Sequence, residues 1–210
     1  MPQQDGPNQD GPNQDAPATP ALVDGGGLAG PGGDQGREVR RRVVTWEDPF
    51  PGASLSVQLS GLEFLQSIVA GRVPPPPVML LLGIGMVEVA HGRAVFSLDV
   101  GEHLYNPIGS VHGGVFCTLL DSAMACAVHS TLPLGKGYTT LELKVNLVKP
   151  LRVTTPTVLG EGKVLSSGRR VATASGQILG PDGALYGHGT TTCLIFDLPS
   201  PNEAQETATK

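Results

Sequence analysis

The chain has 210 residues, among them 29 Gly and 19 Pro, and only 16% of its residues are charged. That is well below the roughly 25% of an ordinary soluble domain. A net charge of -5 with a pI near 5.5 gives no electrostatic reason to expect a nucleic-acid partner, and no apolar run approaches the ~20 residues of a membrane-spanning helix. The charge is unevenly placed. Residues 1–36 hold Asp5, Asp10, Asp15, Asp24 and Asp34 with no Lys or Arg, so they carry the whole excess; the remainder holds 14 basic and 14 acidic groups. This first segment repeats GPNQD at 6–10 and 11–15 and runs into GGGLAGPGGDQG at 25–36. It has too little apolar surface to offset a backbone ordering cost of about 1–2 kcal/mol per residue. Residues 1–42 are therefore expected to be a disordered acidic tail without the basic and apolar parts of a signal peptide. Residues 43–197 should form one domain and 198–210 a flexible end.

Within the domain, Ser60-Gly-Leu-Glu63 has capping-box spacing, and Leu59, Leu62, Leu65, Ile68 and Val69 follow at helical intervals, predicting a helix over 60–71. Gly71 and the run Pro74–Pro77 end it. Strands are predicted over 78–90 and 93–100, joined by a turn at His91-Gly92. After a polar loop comes HGGVFCTLLDSAMACAVHS, 112–130, whose length and Ala, Leu, Met and Cys content predict a buried helix that Pro133 closes. Strand-like runs follow at 138–149, 155–165, 170–179 and 184–196. Gly168 and Pro181-Asp182-Gly183 mark the later turns. A helix apolar nearly all round needs cover on two faces. The expected fold is α+β, an antiparallel sheet wrapped around one long central helix. Cys117, Cys126 and Cys193 are odd in number, lie in apolar runs and lack metal-ligand spacing, so they read as free thiols of a soluble cytoplasmic protein.

One residue conflicts with its setting. Asp121 lies in the apolar helix between Leu119-Leu120 and Ala123-Met124-Ala125, where an unpartnered carboxylate costs several kcal/mol. Either it caps a second helix beginning at Asp121-Ser122, or it has a partner or a function. At the predicted helix start, His112-Gly113-Gly114 lets a ligand approach the backbone, and the first amides of a helix are unpaired donors suited to a developing oxyanion. The bland reading is a Gly-rich helix start with a structural histidine. Gly113 and Asp121 are eight residues apart, about 12 Å of helical rise. If both act on one small group, they come from two antiparallel helices of a two-fold dimer.

The combination Asn106-x5-His112-Gly113-Gly114-x6-Asp121, with the strand at 138–149 and a turn at Gly168-Arg169-Arg170, resembles the hotdog-fold acyl-CoA thioesterases over about residues 60–196. Within them it is most similar to the PaaI-like and 4-hydroxybenzoyl-CoA thioesterase branch. The resemblance implies that Asp121 is the catalytic carboxylate, acting as nucleophile or as base toward water. It implies that the Gly113 N–H polarises the thioester carbonyl, that His112 orients it, and that the Asn106 amide lies near the thioester and the attacking water. A hydroxyl on the strand after the helix assists; Thr139 and Thr140 both fit, and Thr140 is preferred. Gly114 and Thr139 are expected to touch substrate, and Ser166, Ser167, Gly168, Arg169 and Arg170 to meet the coenzyme A phosphates, unless that segment is only a solvated hairpin tip. Lys149 and Arg152 are weaker candidates, and Trp46 is expected to pack a hydrophobic edge. No cofactor or metal is called for, because a thioester is already activated. Two other readings remain: a non-catalytic acyl-CoA-binding sensor module, which would not need the whole Asn/His/Gly/Asp set, and a hotdog dehydratase or hydratase, which expects a catalytic His with a differently placed acid. A homodimer or dimer of dimers follows from the resemblance.

Overall fold

The computed structural model describes residues 38–198 and the backbone of 22–23 and 27–28. Most of the two expected tails lies outside the described residues. The chain divides into two units, 1–42 and 43–210. In the first, β1 (Leu22–Val23) pairs antiparallel with β2 (Gly27–Leu28), Leu22 opposite Leu28. Residues 38–42 have no regular structure and are exposed.

The second unit contains α1 (Pro49–Ser56), α2 (Gly61–Val69), α3 (Pro77–Leu82), β3 (Ile84–Ala90), β4 (Arg93–Leu98), α4 (Gly113–His129), β5 (Lys136–Leu147), β6 (Val158–Ser167), β7 (Val171–Leu179) and β8 (Leu185–Asp197). The six strands form one sheet in the order β3-β4-β6-β7-β8-β5, every neighbour antiparallel. In β7 and β8 exposure alternates residue by residue, so one face meets a core and the other solvent. The covering element is α4, 17 residues long, which packs on β4, β5, β6, β7 and β8. Leu119, Leu120, Ala123 and Met124 are wholly buried beneath it; each large side chain contributes roughly 1.5–3 kcal/mol of transfer free energy. This is the expected sheet around one long helix. The helix is continuous through Asp121-Ser122, so no second helix begins there.

Glycine sets how closely the layers approach. A Cβ on Gly162 of β6 would lie 2.2 Å from the Ala123 carbonyl oxygen, and one on Gly61 would lie 1.8 Å from that of His129. The first brings the sheet against the α4 backbone, and the second brings the start of α2 against the end of α4. Ser60 caps α2 as its sequence predicts: its hydroxyl accepts from the Glu63 N–H, and the Glu63 carboxylate accepts from the Ser60 N–H at 3.0 Å.

Two elements differ from expectation. Residues 78–82 continue as α3 rather than as strand, because Pro77 occupies the first turn and Gly83, at φ 73°, closes the helix in the left-handed region. The unexpected α1 starts at Asp48, whose side chain accepts from the Phe50 N–H, and carries no buried residue. Trp46, expected to pack an edge, is 59% exposed. The ladders of the six-stranded sheet contain four irregularities, between Met86 and Glu88, between Thr140 and Glu142, between Val164 and Ser166, and between Ile178 and Leu179.

Candidate active site

The loop before α4 is pinned by Asn106. Its Oδ1 accepts from the Ile108 and Ser110 N–H groups at 3.1 and 3.2 Å, and its Nδ2 donates to Ser110 Oγ at 3.2 Å. His112 then caps the helix: its Nδ1 accepts from the Gly114 N–H at 3.0 Å, which puts the ring proton on Nε2. The Val115 N–H is taken by the His112 carbonyl. Of the first-turn amides, only that of Gly113 makes no hydrogen bond among the described residues. Gly113 itself lies against Leu147 at the end of β5, whose Cδ1 would be 3.2 Å from an added Cβ.

Two turns further along the helix, the half-buried Asp121 accepts a hydrogen bond from Thr140 Oγ1 of β5 at 2.9 Å. Its other oxygen has no partner among the described residues, yet no unpaired side-chain oxygen there is sealed from solvent. That oxygen is therefore open. Asp121, Thr139 and Thr140 line a cavity of about 650 Å³. Phe64, Leu65 and Ile68 of α2, Val73 and Pro74–Pro76, Met79 of α3 and Met86 of β3 form its apolar walls, and Pro49, Gly52 and Ala53 of α1 flank it. The wall opposite α2 is the far half of α4, with Ala125, Cys126 and His129, together with Tyr138 of β5. His129 sits between Phe64 and Tyr138, ring centres 5.8 and 5.0 Å away.

Burial keeps these neighbours uncharged. It pushes the His129 imidazole down to about 4. Burial raises the Cys126 thiol to about 12, only partly offset by contact with the Tyr138 hydroxyl, which burial in turn lifts well above its ordinary value. Cys193, paired with Thr140 across the β5–β8 ladder, is likewise raised by burial. All three cysteines are free thiols.

The predicted residues thus fall into three places. Asp121, Thr139 and Thr140 meet at the cavity, and of the two threonines it is Thr140 whose hydroxyl reaches the carboxylate. Asn106, His112, Gly113 and Gly114 gather at the start of α4 and do not line that cavity. Ser166 and Ser167 end β6, and Gly168, Arg169 and Arg170 form the exposed turn to β7; none of the five lines it either. The cavity residues Phe64, His129 and Tyr138 were not singled out from sequence, and Cys126 was read there only as a free thiol. The signal for His129 was present: it lies eight residues after Asp121, a spacing that returns to the same side of a helix.

Residues 108–186 match the family model of the thioesterase superfamily. The chain is 32% identical over 65 residues to the 1,4-dihydroxy-2-naphthoyl-CoA hydrolase of Listeria monocytogenes, covering 31% of this chain and 53% of that protein. It is 30% identical over 88 residues to human acyl-coenzyme A thioesterase 13, covering 40% of this chain and 62% of that protein. These alignments span little more than half the length of either relative. The solved structure of the E. coli PaaI protein of the phenylacetic acid degradation operon superposes with a TM-score of 0.57 at 18% identity, over 68% of this chain and 97% of that one; this likeness speaks for the fold. With its sheet curled round α4 the chain has the hotdog fold, and its residues 108–186 are similar to the thioesterase superfamily.

Proposed function

We propose that the protein is an acyl-CoA thioesterase, hydrolysing R–CO–S–CoA with water to a carboxylic acid and coenzyme A. The observation that carries this reading is the Asp121–Thr140 pair, whose open carboxylate oxygen lies at an apolar cavity large enough for an acyl group. As a base, Asp121 takes a proton from water while the water oxygen adds to the carbonyl carbon. As a nucleophile, it adds directly and forms a mixed anhydride that water then opens. In both routes the C–S bond breaks and the thiolate leaves to collect a proton. Thr140 holds the carboxylate by donating to one oxygen, which leaves the other for the reaction.

The oxyanion donor in this reading is the free Gly113 N–H, oriented by the His112 cap, with Asn106 fixing the loop beside it. It cannot serve the Asp121 of its own chain, since about 12 Å of helical rise separates them. It serves the Asp121 of a second copy across a two-fold axis. Support comes from β5, an edge strand with Leu141 and Leu147 59% and 55% exposed. The exposed turn at Ser166–Arg170 is assigned to the coenzyme A phosphates, and the three free thiols favour a cytoplasmic setting.

The test is an acyl-CoA panel read with a thiol-detecting dye. D121N is expected to lose about 10²–10⁴ of kcat while remaining folded and dimeric. Undiminished turnover in D121N would reject the carboxylate as catalyst, and full activity in a strictly monomeric species by analytical ultracentrifugation would reject the shared site. Binding of acyl-CoA without thiol release from any substrate would favour the sensor reading.

A further inference from the structure

The proposed mechanism uses Asp121 and Thr140 and leaves one polar group of the cavity unexplained. Neither ring nitrogen of His129 is hydrogen-bonded to any other described residue, and neither is sealed, since no unpaired side-chain nitrogen among these residues is buried. Both nitrogens are therefore open while the ring is clamped between Phe64 and Tyr138. The imidazole is uncharged at neutral pH, so it offers one N–H donor and one acceptor and no net charge. Its surroundings supply neither: Phe64, Ile68, Ala125 and Cys126 are apolar or inert, and the Tyr138 hydroxyl faces the Cys126 thiol. A donor and acceptor set into an apolar pocket favours a ligand that completes both.

Its distance from the carboxylate limits what that ligand is. Along α4, His129 lies eight residues beyond Asp121, about 12 Å of rise. Along β5, Tyr138, which touches the His129 ring, lies two residues from Thr140, about 7 Å. Taking the thioesterase reading as its basis, we infer that His129 selects acyl groups that are apolar along their length and carry a hydroxyl or oxo oxygen about 7–12 Å from the thioester carbon. An extended chain advances about 1.2 Å per bond, so that oxygen belongs six to ten bonds out. The class is a medium-length acyl group oxygenated near its far end.

The experiment compares 8-hydroxyoctanoyl-CoA, whose distal hydroxyl reaches this range, with octanoyl-CoA, and 3-hydroxybutanoyl-CoA, whose hydroxyl is too near the thioester, with butanoyl-CoA. The readout is the ratio of kcat/KM within each pair, which is insensitive to a general loss of activity. Wild type is expected to favour the hydroxylated octanoyl thioester by at least about tenfold, and to show a ratio near one for the short pair. H129L should bring the long-pair ratio close to one, H129F should do the same while filling the ring space, and H129Q, which keeps a donor and an acceptor, should retain a preference. A wild-type ratio near one would show that water satisfies the imidazole, and would overturn the inference. So would a preference that survives in both H129L and H129F. If wild type hydrolyses neither member nor any other acyl-CoA of the panel, the thioesterase reading fails. Calorimetric Kd values of the same pair on wild type and H129F then decide the role of His129: equal Kd values overturn it, and a hydroxyl-dependent gap confined to wild type supports it.

Discussion

Replacing His129 should change how the protein responds to acid, and the size of the change follows from its burial. In the unfolded chain a histidine titrates near 6.5, whereas in the fold burial lowers His129 to about 4. Between these values the unfolded state binds a proton that the folded state refuses. Its contribution is therefore complete above pH 6.5 and is lost as the pH falls toward 4. A displacement from 6.5 to about 4 at 1.36 kcal/mol per pH unit corresponds to about 3 kcal/mol. For a domain of this size each kcal/mol moves Tm by about 2–4 °C, so wild type should lose about 6–12 °C more than H129L between pH 7 and pH 4. The assay is a set of thermal melts by circular dichroism at fixed protein concentration, at half-unit pH intervals, for both proteins. Carboxylates titrating in the same range act equally on both and cancel in the difference. Parallel pH profiles would refute the reasoning, and with it the view that the ring is held neutral by its apolar surroundings.

Further outcomes are expected at three other positions. Gly162→Ala should destabilise the fold by about 3 kcal/mol or more, because its Cβ would meet the Ala123 backbone rather than a side chain that can turn away; urea unfolding measures this. Thr140→Val removes the one donor to Asp121 among the described residues and should lower kcat by about tenfold with little change in Tm. Thr140→Ser, which keeps the hydroxyl, should recover most of the loss. Ser60→Ala removes the hydroxyl that accepts from the Glu63 N–H, leaves the backbone half of the cap on α2, and should cost about 1 kcal/mol in urea unfolding.

The parts of the molecule that were legible in sequence are those dictated by local chemistry. Ser60 and Glu63 announced a helix start that the structure reproduces bond for bond, and the uninterrupted apolar stretch after His112 could only be an enclosed helix. The VMLLL run at 78–82 misled, since five apolar residues suit a strand as well as a helix; the flanking Pro77 and Gly83 decide the matter through backbone geometry. The α1 helix was hidden because Pro49, Pro51 and Gly52 lie within it and no residue of it enters the core. For the site, Asp121 stood out because a carboxylate conflicts with apolar neighbours, and that contrast is visible in one dimension. The cavity was not visible, because its walls come from α1, α2, α3, β3, α4 and β5, brought together only by folding. His129 and Tyr138 suit an ordinary amphipathic surface in sequence and become unusual only when seen facing each other.

The irregularity between Thr140 and Glu142 has a consequence for how β5 can change. Thr140 pairs with Cys193 and Glu142 with Thr192, so Leu141 is a supernumerary residue without an opposite number. Before it the even-numbered residues Tyr138 and Thr140 turn inward, and after it the odd-numbered Leu143 and Val145 do. The strand is thus read in two frames, one serving the cavity and the other the core, with Leu141 as the joint between them. Straightening the bulge with that residue retained would put both halves in one frame: if Leu143 and Val145 keep their places, Tyr138 and Thr140 rotate out to solvent and Thr139 takes the inward position. The inward placement of Tyr138 and Thr140 therefore rests on the bulge at Leu141 and not on simple alternation along the strand.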